Sequence, residues 1–368
     1  MRSWRVFFVI PFLSFLVGCG GASSDSIAKP LRYTSLKVYE DAEDGSVARW
    51  SVRLGEEGEV VNRWDELLQS RVIGFEGGGS YMIGAISGEE IWGDTLNRSI
   101  SFRLNSRAIE TIYVLVDTQE GARKIFYRTD TPARALKHSF EGGIHHGLGS
   151  DVSNGAWRVI TRDLQADLQD AEPENRLLQV NGLIHNGGEG NGMDDLVLYN
   201  PVVHPYVTEV RRVEESLIIP IENETDNILQ WRLKDFGGEP YIMSADPDER
   251  GTIRDPDAFE FRVVVDTLKG ERNLIYRLGM EDLGIIEGGK SIEHALGDDR
   301  TIGAVWAGDD PMNELGLWQS VTRDLNQDIQ DYEPQNRLLA VQRFEVYHQG
   351  MIDGVVMFSS AFYQRSAP

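Results

Sequence analysis

Trp157-Arg-Val-Ile-Thr161-Arg162-Asp163-Leu164-Gln-Ala-Asp167-Leu-Gln169-Asp170-Ala-Glu172-Pro173-Glu-Asn175-Arg176-Leu177-Leu178-Gln-Val180 returns 161 residues later as Trp318-Gln-Ser-Val-Thr322-Arg323-Asp324-Leu325-Asn-Gln-Asp328-Ile-Gln330-Asp331-Tyr-Glu333-Pro334-Gln-Asn336-Arg337-Leu338-Leu339-Ala-Val341. Fifteen of these 24 positions are identical without a gap, so the chain is an internal duplication. A second block supports the pairing. Val114 to Arg128 aligns with Val263 to Arg277, with eight of 15 positions identical. Each copy of that block reads as a hairpin: a β-branched run, a polar turn with Gly121 or Gly270, and a return strand carrying Tyr127 or Tyr276.

Working outward, the remaining runs alternate apolar and polar residues with a period of two. Trp50 to Leu54, Arg71 to Phe75, Ser99 to Leu104 and Phe259 to Val263 follow it, and Ile228 to Lys234 reads as a partial echo of the Trp50 run. Gly, at 38 residues, falls between these runs as turns require. The helix candidates are short: Trp64 to Ser70 and Asp163 to Asp170. The pattern predicts an all-β chain of two tandem antiparallel jelly-roll β-sandwiches, repeat one over 36–200 and repeat two over 216–360. Residues 201–215, with Pro201 and Pro205, read as a linker.

In the repeated stretch, Trp157 to Ile160 predicts a strand and Thr161 or Asp163 caps the turn that follows. Pro173 ends that turn before a strand from Leu177 to Ile184. Arg162 and Asp163, and Arg323 and Asp324, are expected to pair or to bond loop backbone. A motif kept in both halves points to a shared structural corner more than to an active site. Trp50, Trp157, Trp231 and Trp318 recur within strand patterns and are assigned to the cores.

Residues 1–18 have the anatomy of an export signal, with Arg2 and Arg5 before an apolar run from Val6 to Leu16 that is too short to span a bilayer. The run ends at Leu16-Val17-Gly18-Cys19, which resembles a bacterial lipobox. That resemblance implies cleavage before Cys19, lipid on its sulfur and amine, and a flexible tether over 19–35. Gly20 after Cys19 fits outer-membrane sorting in a Gram-negative envelope. Cys19 is the only cysteine, so no intramolecular disulfide forms. Without residues 1–18 the chain has 34 basic and 59 acidic residues, a net charge of −25. Such a chain is repelled by phosphate backbones and anionic headgroups, which excludes nucleic acid and leaves the N-terminal lipid as its membrane contact.

Candidate chemistry gathers at the ends of the copies. Glu40, Asp41 and Glu43 lie near the start of repeat one, and Asp194 and Asp195 stand before its last apolar run. First and last strands of a jelly roll lie side by side, which brings these carboxylates together. The arrangement is similar to carbohydrate-binding modules and galactose-binding-like sandwiches. It implies a structural calcium held by some of these five residues, with a solvated acidic loop as the alternative. Repeat two offers Glu222, Glu224 and Asp353, with Gly354 in place of Asp195.

His138, His145 and His146 share one stretch, but only His146 recurs, as His294. A recurring single His organises a loop rather than completing a metal triad. His146 and His294, with Trp92 and Trp306 beside glycines, are the candidate ligand contacts; flat aromatic faces suit sugar rings. The serine-elbow, zincin and phosphate-loop motifs are missing from the sequence, and no cysteine is placed as a nucleophile. The reading is a non-catalytic, envelope-anchored lipoprotein that binds polysaccharide or glycan. A structural or adhesive lipoprotein with protein partners, and a carbohydrate-active enzyme, remain the alternatives.

Overall fold

The computed structural model describes residues 33–54, 58–85, 91–129, 135–136, 143–148, 150–188, 190–235, 260–278, 284–286, 289–297, 319–348 and 350–361. Cys19, His138, Trp306 and Trp318 lie outside them. The first module runs β1 (Tyr33–Glu40), β2 (Trp50–Leu54), β3 (Glu59–Asp65), β4 (Ser70–Glu76), β5 (Gly79–Gly84), β6 (Ser99–Asn105), β7 (Thr111–Thr118) and β8 (Gly121–Arg128). It continues with β9 (Ala135–Leu136), β10 (Gly143–Gly147), β11 (Trp157–Asp163), α1 (Leu164–Ala171), β12 (Leu177–Gly187) and β13 (Asn191–Pro201). The second runs β14 (His204–Val207), β15 (Arg211–Val213), β16 (Ser216–Asn223), β17 (Ile228–Asp235), β18 (Glu260–Thr267) and β19 (Gly270–Leu278). Its remaining elements are β20 (Gly284–Ile286), β21 (Ser291–Gly297), β22 (Gln319–Asp324), α2 (Leu325–Tyr332), β23 (Leu338–Tyr347) and β24 (Gly350–Phe358).

The chain is therefore all-β, and each module has two sheets. In the first, a front sheet has the order β11-β6-β13-β4-β3 with β1 also on β13, and a back sheet has the order β2-β5-β12-β7-β8-β10-β9. In the second, the front sheet is β14-β24-β17-β22 with β15 on β24, and the back sheet is β16-β23-β18-β19-β21-β20. Inward residues of both sheets meet in one core per module. Phe75, Phe102 and Leu198 of the first front sheet share a cluster with Tyr81, Val114 and Leu183 of its back sheet. Trp231 and Met357 share another with Phe261, Tyr276 and Phe344.

The first and last strands of repeat one pair, with Val38 opposite Val197 and Glu40 opposite Leu196. Both expected hairpins form, β7 with β8 and β18 with β19. The sheets are not wholly antiparallel, because β10 runs parallel to β8 and β21 parallel to β19. Three further expectations change. Trp64 to Ser70 is the end of β3 and a turn into β4, not a helix. The stretch 201–215 carries β14 and β15, both paired with β24. Trp231 does not match Trp50. It pairs with Val321, and the equivalent Ile160 pairs with Phe102, so Phe102 is its counterpart. Trp157 also leaves the core: Gly192, on the outer side of β13, has its Cα face against the indole, 2.9 Å from where a Cβ would sit. Its Nε1 donates to Asp65 at 3.0 Å.

Candidate functional site

The repeated corner is a buried ionic network. Asp163 ends β11 in an extended conformation and its Oδ1 accepts from the backbone of Gln165 and Ala166, which starts α1. Arg162 does not pair with its neighbour Asp163. It grips Asp167, one turn into α1, with Nε to Oδ2 at 3.0 Å and Nη2 to Oδ1 at 2.5 Å. Tyr127 donates its hydroxyl to the same carboxylate, and His146 Nε2 lies 3.0 Å from the Asp167 carbonyl oxygen. The second module repeats the grip on the carboxylate, with Arg323 and Tyr276 on Asp328 and His294 Nδ1 3.5 Å from Arg323 Nη2. All of these side chains are buried.

Burial, reinforced by Arg162, lowers the His146 pKa to about 4 despite Asp167, so the imidazole is neutral near pH 7. His146 with Asp167 and Asp170, and His294 with Asp328 and Asp331, cluster closely enough to suggest a metal. They do not fit one, because both oxygens of Asp167 and of Asp328 are already held by a guanidinium. His146 and His294 thus lie buried within the scaffold of their modules.

The acidic end of repeat one separates into two groups. Glu40 is buried and its carboxylate is full, accepting from Arg49, Trp50 Nε1 and the Ala42 backbone. Glu43 accepts from the Ser70 hydroxyl and the Arg71 backbone through Oε1, and Asp41 from the Glu43 backbone. Asp194 differs: it is 1% exposed and neither carboxylate oxygen accepts a hydrogen bond. Burial, then Asp195 and Glu43, push its pKa up to about 7. Asp195 beside it is held by Arg103 at 2.9 Å and is raised by burial and by Asp41 and Glu43.

In repeat two, Gly354 keeps the left-handed backbone of Asp195, with φ of 58° against 53°. The acidic set does not follow it. Glu222 and Glu224 lie on and just after β16 at the back sheet, Asp353 lies on the front sheet, and Val207 stands at the β14 position equivalent to Glu40. Trp92 is not an open platform either. Tyr39 stacks on it at 4.0 Å, and its Nε1 edge closes over Gly84.

A partly exposed aromatic row was missed from sequence. On the outer side of the first back sheet, cross-strand register aligns Ser51, Met82, Ile184, Tyr113, Phe126 and His145 in one row across six strands. Their neighbours along each strand, such as Ile83, Val114, Ile125 and Ile144, fill the core, so alternation turns the row outward. Tyr113 meets Phe126 edge-on at 4.4 Å, and Phe126 stacks on His145 at 4.3 Å and 5°. All three rings are half-buried. Asn186 donates to the Tyr113 hydroxyl at 3.0 Å, while its own Oδ1 has no partner. The signal available in the sequence was the pair Tyr113 and Phe126, aromatics at the polar phase of an alternating hairpin.

The equivalent row in the second module is Ile218, Glu345, Arg262, Ile275 and Glu293. Its charges neutralise one another: Arg262 with Glu260 and Glu345, Arg277 with Glu260 and Glu293, and Arg343 with Glu345. The duplication kept the sheet and changed the face.

No protein-family model and no curated protein matches the chain. Among solved structures, it is similar to the family 11 carbohydrate-binding module of the cellulosomal cellulase Lic26A-Cel5E of Clostridium thermocellum. Identity is 14%, over 45% of this chain and 95% of that one, with a TM-score of 0.26. The same module in complex with a β-1,3-1,4-mixed-linked tetrasaccharide gives 12% identity, the same coverage and a TM-score of 0.25. An exo-β-agarase gives 9% identity over 45% of this chain and 25% of that one, with a TM-score of 0.21. At these TM-scores no residue's role transfers from those proteins to this chain.

Proposed function

We propose that the chain is a non-catalytic carbohydrate-binding protein whose first module holds a glycan on the outer face of its back sheet. The observation that carries this is the half-buried row of Tyr113, Phe126 and His145. Aromatic rings stack on the apolar faces of pyranoses, and amide groups bond their hydroxyls. Holding rather than cleaving is supported by the groups around the row. Among the described residues its flank carries one carboxylate, Asp117, to which Gln179 donates, whereas glycoside hydrolysis uses two opposed carboxylates. We read the two modules as tandem jelly-roll sandwiches, tied to the outer membrane by lipid on Cys19, the reading that the Leu16 to Cys19 motif supports. The self-neutralised Arg–Glu face of the second module favours a spacer or protein-contacting role there.

The test is retention of residues 20–368 on a panel of immobilised polysaccharides. Tyr113→Ala and Phe126→Ala are each expected to weaken retention about tenfold, equivalent to about 1.4 kcal/mol. Failure of the intact protein to bind any glycan sinks the proposal and moves the function to adhesion through protein contacts.

A structural calcium belongs to the same proposal, now centred on Asp194, with Asp195, Asp41 and Glu43 around it and Glu40 left out. The two Asp194 oxygens, which lack hydrogen-bond partners, suit that ion, and its charge offsets the repulsion from Asp195 and Glu43. Calcium is expected to raise the melting temperature and a chelator to lower it, with Asp194→Asn insensitive to both. Equal response in Asp194→Asn and the parent removes Asp194 from the site.

A further inference from the structure

Asp94 and Asn223 organise the same turn in the two modules. Asp94 Oδ1 accepts from the backbone of Leu96 and Asn97 at 3.0 and 2.9 Å, and Asn223 Oδ1 from that of Thr225 and Asp226 at 2.8 and 2.9 Å. The residue after each turn, Arg98 or Asn227, accepts through its carbonyl from the first helical residue, Leu164 or Leu325. Leu96 therefore stands where the second module has Thr225, and it is 71% exposed. Thr225 shows that the turn itself requires no apolar residue.

Other exposed apolar residues surround it. Asn200 donates from Nδ2 to the Leu96 carbonyl at 2.7 Å and accepts from the Arg98 backbone at 3.0 Å. Pro201, the next residue, pairs with Tyr33, and Arg98 donates to the Leu177 carbonyl. These bonds gather Tyr33, Leu96, Leu178 and Val203 at one end of the first module, where they are 39, 71, 51 and 44% exposed. Single exposed apolar residues are ordinary, whereas a group of them marks a contact surface. This is also the end at which the chain enters the module. Residues 20–32 are all that separate Cys19 from Tyr33, a reach of at most about 50 Å whatever path they take.

Resting on the reading that Cys19 carries lipid, we propose that this end of the first module is a membrane-facing surface that settles into the bilayer holding the anchor. Leu96 and Leu178 enter the boundary of the acyl chains, and Tyr33 suits the headgroup level, with its ring apolar and its hydroxyl wet. The acidic chain is repelled by anionic headgroups, so the surface suits zwitterionic lipid. Each contact is weak alone. Tethering raises the effective concentration to the order of millimolar, which populates a contact that the free protein would rarely make.

Residues 20–368, which contain no cysteine, are tethered for the test to phosphatidylcholine vesicles through a histidine tag in place of Cys19 and a nickel-chelating lipid. Single introduced cysteines carry an environment-sensitive fluorophore. Labels at Leu96→Cys and Leu178→Cys are expected to shift to the blue on tethering and to be quenched by brominated acyl chains. A label at Ile218→Cys, at a position 58% exposed on β16, is expected to do neither. Leu96→Asp is expected to remove the shift at Leu178→Cys with an unchanged melting temperature. No shift at Leu96 and Leu178, or an equal shift at Ile218, overturns the membrane-facing surface. A shift that grows with protein concentration in the absence of vesicles also overturns it, in favour of contact between copies. Because the tag replaces the lipid, these results are independent of the anchor. Palmitate incorporation by the full chain and not by Cys19→Ser supports the anchor, and incorporation by neither removes it whatever the labels report.

Discussion

Arg162 and Asp167 are five residues apart and both buried, and their ion pair sits where water cannot replace a lost partner. Removing one member strands the other charge, at a cost of about 3–5 kcal/mol. Asp167→Ala is therefore expected to destabilise the first module by that amount in urea titration. Adding Arg162→Met to it should restore most of the loss, since paired apolar substitution removes the stranded charge. A single-mutant loss below about 1 kcal/mol would contradict the buried network. The sequence displayed both residues twice over; of the two outcomes expected for Arg162 and Asp163, backbone bonding holds for Asp163 and their mutual pairing does not form. Asp163 is spent on capping, so helical geometry begins at Leu164 and turns Asp167 back toward the strand that carries Arg162. Which of two nearby carboxylates meets a cation depends on where a helix starts. That boundary is the least legible feature of a short motif.

At the scale of strands and sheets, alternation told inward from outward side chains, but not which strands would lie side by side. Tyr113 and Phe126 were legible as outward aromatics. That His145 joins them depends on the parallel pairing of β10 with β8, reached over a long connection that sequence periodicity cannot register. The same limit misaligned Trp231 with Trp50, because only the pairing partners Val321 and Ile160 reveal Phe102 as its counterpart. Gly143 is the hinge of the aromatic row. A Cβ there would lie 1.9 Å from the Phe126 ring, so the ring rests directly on the glycine backbone. Gly143→Ala is expected to displace Phe126 from His145 and weaken glycan retention about as much as Phe126→Ala. Retention equal to the parent would mean that the stacked ring takes no part in binding.

At the scale of the whole molecule, the duplication was unmistakable and the docking of its halves was not. The two copies meet corner to corner, and the donors in these contacts stand at positions where the repeats differ, while the acceptors are the shared pair Asp170 and Asp331. Arg158, whose counterpart is Gln319, reaches Asp331 on α2 at 2.6 and 2.7 Å. In return Asp170 on α1 accepts from the backbone and hydroxyl of Ser320, whose counterpart is Val159, with Arg232 at 3.7 Å. The identical pair Asp170 and Asp331 supplies both acceptors and divergent positions supply the donors, so what the repeats share gave no sign that this pair would meet the other copy.

Asp170 also makes that joint sensitive to pH. Burial pushes its pKa up from 3.8 to about 7, against the bonds from Ser320 that lower it. Between those values the folded chain holds a proton that the unfolded chain releases. Stability from this group therefore falls as pH rises from about 4 to about 7 and is level above. Asp170→Asn, neutral throughout, is expected to flatten that slope and to be at least as stable as the parent at pH 8. Arg158→Gln, which makes the first copy resemble the second, is expected to cost about 3 kcal/mol and to split calorimetric unfolding into two transitions. If Asp170→Asn keeps the slope and Arg158→Gln still unfolds in one transition, the modules are held together by something other than these two carboxylates.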